Sequence, residues 1–103
     1  MSRANYGTVV ISIGDESYTL VPTLKAMTKI ETNWPAGLRG AIDACHSMSP
    51  NSISFIIAAG AGLSKEEAKA LPEAVFSEGT ARLAPKVMEY LTKLINPSGK
   101  EDD

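Results

Sequence analysis

Cys45 and His46 are the chain's only thiol and only imidazole, and they are adjacent. A nucleophilic cysteine needs a base turned toward it. Neighbouring residues on a helix point about 100° apart, and residues 37–48 have a helical pattern, so these two side chains face different ways. Cys45 falls on the apolar stripe of that pattern, where a buried structural thiol is expected. One Cys and one His complete no zinc site without several carboxylates. The acidic pairs Asp15-Glu16 and Glu66-Glu67 lie at a hairpin tip and at a helix start, where negative charge suits the dipole. Neither has a second carboxylate that spacing places opposite it. Gly60-Ala61-Gly62 is no phosphate loop: no Gly-Lys-Ser/Thr follows, and it ends a helix rather than a strand. No catalytic, cofactor-binding or metal-ligating residue is expected, and hence no enzyme.

With 103 residues the chain has the length of one domain. Residues 1–103 form that domain, with order expected from about residue 6 to 96 and a solvated tail at 97–103. Hydrophobic residues make up 44% and charged residues 21%, a globular balance with a mainly aliphatic core. Ten basic and twelve acidic residues leave a net charge of -2, which gives no general attraction to nucleic acid. The single cysteine excludes an intrachain disulfide and fits a reducing compartment. No apolar run is long enough to span a membrane, and MSRANYG lacks the apolar core of a signal peptide. A cytoplasmic protein is expected.

The fold expected is α+β: an N-terminal β-hairpin packed on four to five helices. Residues 8–13 (TVVISI) alternate, with Val9, Ile11 and Ile13 on one face. Gly14-Asp15 suits a tight turn, and a longer loop over 14–16 fits equally well. Residues 17–21 form the returning strand, which Pro22 ends. Thr23 caps a helix whose stripe is Leu24, Met27, Ile30 and Trp34, stopped at Asn33-Trp34-Pro35. The second helix spans 37–48, with Leu38, Ala41, Ile42, Cys45 and Met48 inward.

Ser49-Pro50 caps the third helix, 51–61, which is apolar nearly all round and is expected to be the most buried. Gly60 and Gly62 terminate it, with Gly62 the better C′ candidate. Ser64 and Glu67 make a capping box for a fourth helix, which Pro72 stops near residue 71. Residues 73–77 are ambiguous, with one helical turn among the readings. The last helix carries Leu83, Val87, Leu91, Leu94 and Ile95, with Met88 and Tyr90 flanking and Pro85 in its first turn. The expected core groups Leu24, Met27, Ile30, Ile42, Phe55, Ile56, Val87 and Leu91.

The candidate partner-binding residues are Val10, Ser12 and Trp34. The first strand holds no charge and no proline, so its edge lacks the usual guards against strand addition: either another chain adds to it, or residues 1–6 or a local helix cover it within the monomer. Trp34 either closes the core between the first two helices or stays partly exposed as an interface anchor. The second and third helices would serve poorly as a helix-turn-helix, since Ile53, Phe55, Ile56 and Ile57 replace the basic and polar residues of a recognition helix.

The N-terminal pattern TVVISIGDESYTLVPTLKAMTKIE is followed by a helix of small apolar residues, a Gly-ended third helix and the 63–67 capping box. The whole, over about residues 7–96, resembles the small tail proteins of gene transfer agents and siphophages. The strongest segment is 14–31, with Tyr18, Leu20, Pro22-Thr23-Leu24 and Ile30-Glu31. The NWPAG turn at 33–37 and the acidic tail are individual to this chain. The resemblance implies a phage-like tail assembly protein, a chaperone that covers the tape-measure protein while tube subunits polymerise. Its alternative is a structural tube subunit retained in the particle. The implied partners are tail proteins, the tape-measure protein and the tube subunit, with self-association through the hairpin edge. Neither nucleic acid nor membrane is among them.

Overall fold

The computed structural model describes residues 7–97. The expectations for the N-terminal segment and the tail at 98–103 fall outside them. β1 (Val9–Ile13) and β2 (Glu16–Leu20) pair antiparallel, Ile13 opposite Glu16, so the turn is the two residues Gly14-Asp15. Gly14 has φ 61 while Asp15 is not at positive φ. That is the pattern of a type II′ turn, which glycine enters without a Cβ clash. Val9, Ile11, Ile13 and Leu20 are buried and Val10 is not, as strand alternation requires.

Six helical segments follow: α1 (Leu24–Asn33), α2 (Leu38–His46), α3 (Pro50–Ala61), α4 (Lys65–Ala68), α5 (Leu71–Glu78) and α6 (Thr80–Ile95). The hairpin lies on them, giving an α+β fold. α3 runs through the middle, with Ile53, Ile56 and Ile57 fully buried, and it packs against β2 and every other helix. Its one buried polar side chain, Ser54, donates to the Asn51 carbonyl at 2.9 Å. Local capping starts the helices: Thr23 Oγ1 accepts from Ala26 N at 3.1 Å, and Ser49 Oγ from Ser52 N at 3.2 Å. Ser64 and Glu67 form both halves of the capping box.

Several expectations are corrected. Leu24 is 79% exposed, so α1 turns Ala26 and Ile30 inward, with Met27 and Trp34 half-buried beside them. Leu24 precedes Ile30 by six residues, which at 100° per residue sets it about 120° off the inward line. Ile42 and Phe55 are also only half-buried. α2 stops at His46, and Met48 lies beyond it at φ 60 and exposed, so it leaves the stripe. Ile95, on the last turn of α6, is exposed as well.

Gly60 is inside α3, and only Gly62, at φ 70, ends that helix. Pro72 lies in the first turn of α5 rather than merely stopping α4, and the ambiguous 73–77 stretch belongs to that helix. Pro85 lies past the first turn of α6, because Gly79 at φ 109 sets the start at Thr80. It leaves the Ala81 carbonyl without its helical donor. The helix holds because Leu83, Ala84, Val87, Tyr90, Leu91 and Leu94 are all buried along it.

Tyr90 is fully buried, not flanking. Its ring lies on Gly60, where an added Cβ would stand 2.8 Å from Cε2 and Cζ. The absence of a side chain at Gly60 is what lets α6 approach α3 at that level.

Candidate functional site

Among the described residues no group of His, Cys, Asp or Glu has the arrangement of a metal site. The Cys45 thiol is buried and donates to the Ala84 carbonyl at 3.5 Å, and burial pushes its pKa up. His46 beside it is exposed. A thiol held protonated, with no imidazole turned to it, is a poor nucleophile. No buried side-chain nitrogen or oxygen among the described residues lacks a hydrogen-bond partner. What the surface offers instead is apolar grooves and a strand edge.

Val10 and Ser12 stand together on the outer face of β1. A two-residue turn closes on a hydrogen-bonded pair, so Val9, Ile11 and Ile13 bond to β2 while Val10 and Ser12 turn their N–H and C=O groups to the outer edge. Ser12 Oγ lies 3.4 Å from Ser17 Oγ across the close, non-bonded pair. Among the described residues, no backbone hydrogen bond beyond the hairpin reaches Val10 or Ser12. Val10 is 52% exposed. Both residues line a groove of about 240 Å³ with Arg82, Leu83 and Lys86 of α6. The opposite side is docked: Val21 N–H donates to the Gly60 carbonyl at 3.0 Å. The turn is tied down too, since Gly14 N–H donates to Glu78 Oε1 at 2.9 Å and Glu78 also pairs with Arg82.

Trp34 is not part of that groove. It is half-buried at the α1–α2 corner, edge-to-face with Phe55 at 5.8 Å and 88°. Gly40 makes room for it, since a Cβ there would come within 2.6 Å of Trp34 Cβ. The core-closing role accounts for most of its surface.

A second groove, of about 410 Å³, opens between α1, α3 and α4. Its floor is Phe55, Ala58, Leu63 and Ala68, with Pro72 at one end. The end of α3 builds it. Gly62 N–H donates to the Ala59 carbonyl and Leu63 N–H to that of Ala58, a Schellman reversal that folds Leu63 back over the last turn of α3. The Ser64 capping box then starts α4 at once. Ser64 N–H donates to a Glu67 carboxylate oxygen at 2.8 Å, and this bonding holds the Glu67 carboxyl below its usual pKa. Lys29, Lys65 and Lys69 stand around the rim, all exposed, and no acidic side chain lines the groove. Among the described residues none of the three forms an ion pair.

Sequence reading missed this site. The one local signal was the spacing of Lys65 and Lys69, four apart beside Leu63. Lys29 joins them only through packing of α1 on α3. No described helix is long and apolar enough to cross a membrane. The chain matches no family model, no curated protein and no solved structure.

Proposed function

We propose that the chain is a non-enzymatic, phage-like tail assembly protein, a cytoplasmic chaperone that binds the tape-measure protein while the tail forms. The proposal starts from the resemblance of the 14–31 segment to small tail proteins. The observation that carries it is the outer edge of β1, with Val10 exposed and the outward backbone groups of Val10 and Ser12 bonded to nothing else described. An extended or helical partner with apolar stripes aggregates unless covered. A strand edge with an adjoining groove supplies main-chain bonds and a side-chain pocket for such cover.

The test is coexpression of the full chain with the tape-measure and tube proteins of its own host, followed by affinity purification and mass spectrometry of finished particles. Recovery with the tape-measure protein and absence from particles is expected. Retention in particles would favour a structural tube subunit, and recovery with neither protein would overturn the tail reading.

A further inference from the structure

We infer that the groove between α1, α3 and α4 is a docking site for an amphipathic helix whose apolar anchors are flanked by Asp or Glu. Its floor is apolar, and an exposed Phe76 stands outside the lining residues, beyond the Pro72 end. That residue lies one turn beyond Pro72 on the same side of α5 and is 70% exposed. The rim is cationic, with Lys29, Lys65 and Lys69 free of ion pairs and no carboxylate among the lining residues. In a chain of net charge -2, that local excess selects for acidic flanks. Among the described residues no buried side-chain nitrogen or oxygen is left unpartnered to orient a small ligand in the groove. Apolar floor and charged rim are instead the anatomy of a helix-in-groove contact. The inference deepens the tail reading, on which it rests for the source of the helix: a tape-measure segment with acid-flanked apolar anchors.

Fluorescence anisotropy with two labelled peptides of about 18 residues, five turns of helix, tests it. One carries Leu at i, i+3, i+4 and i+7 with Glu flanks, and its twin carries Lys flanks. The acidic peptide is expected to bind the full chain, less tightly as salt rises. Its affinity should fall about tenfold or more in the K65E/K69E double variant and also in Phe76→Ser. All three side chains are exposed, so circular dichroism should be unchanged in both variants. The Lys-flanked twin should bind the double variant better than the wild type. Equal binding of both peptides to the wild type, or none of the acidic one, overturns the inference. So does direct binding of a labelled fatty-acid carboxylate where no peptide binds, which would make the groove a lipid site. Because both peptides are designed, their result stands apart from the purification test. Peptide binding without tape-measure recovery would remove the tail reading alone.

Discussion

The Tyr90 hydroxyl donates to the Val21 carbonyl at 2.6 Å, across 69 residues of sequence. The same ring packs on Gly60, whose carbonyl accepts the Val21 N–H. Three elements are thereby locked at one point: the end of the hairpin, α3 and α6. Gly60→Ala would push a methyl group into the Tyr90 ring. The gain in helix propensity, about 1 kcal/mol, offsets only part of the overpacking, which costs about 1–3 kcal/mol. A lower denaturant midpoint is expected. An unchanged midpoint would mean that the ring moves aside freely.

Burial raises the Tyr90 pKa from 10.0 to about 12. The folded chain therefore holds this proton more tightly than the unfolded chain. The contribution to stability is complete below pH 10 and is lost as pH rises toward 12. Other tyrosines and the lysines titrate in the same range, so the informative quantity is a difference. Tyr90→Phe should cost about 0.5–1.5 kcal/mol at neutral pH, and that cost should shrink above pH 10. Urea titrations of both proteins at several pH values would check it, and a gap independent of pH would contradict the burial.

Glu67 gives the opposite sign. Its folded pKa is depressed by the bonds to Ser64, so the cap is intact above the carboxyl's ordinary value and weakens as pH falls through the lowered one. Ser64→Ala removes the hydroxyl acceptor of the cap, worth about 1 kcal/mol, but keeps the Ser64 N–H that is the larger cause of the depression, so the Glu67 titration should rise only part of the way toward 4.5. Carboxyl chemical shifts in an NMR titration would read this directly. A wild-type Glu67 midpoint at the ordinary 4.5 would mean that the capping box is not closed in solution.

The contrast between Ile30 and Leu24 marks how far the sequence could be read. Both fit a three- and four-residue apolar stripe, yet Ile30 is 0% exposed and Leu24 79%. Periodicity finds the inward face but not where the neighbouring elements end. Leu24, Met48 and Ile95 all lie at or past helix ends and all protrude. Ile30→Ala should therefore cost about 2–5 kcal/mol, and Leu24→Ala under about 0.5 kcal/mol. Equal costs would show α1 rotated from its observed face.

Signals decided within a few residues were legible: the Val9–Ile11–Ile13 alternation, the caps at Thr23, Ser49 and Ser64, and the αL glycine at Gly62. Gly60 and Pro85 were misread because long-range packing, against Tyr90 and along the whole of α6, overrode their local preference. The lysine-rimmed groove was illegible for the same reason, since Lys29 and Lys69 meet it from opposite sides of α3's sequence.

The hairpin edge remains the most exposed prediction. In the observed register Ser12 faces Ser17 in a non-bonded pair, so its N–H points away from β2. Ser12→Pro deletes a donor on the outer edge while sparing the ladder, at an edge position where proline is tolerated. Val10→Lys places a charge beside the same edge, close to Lys86 across the groove. Both variants should keep the helical circular dichroism and lose association with a tail partner or a second copy. Sedimentation of the full chain at tens of micromolar would decide between the surfaces. A wild type that is monomeric and partner-free there would discard strand addition and leave the groove beneath Lys29, Lys65 and Lys69 as the only binding surface argued from these residues.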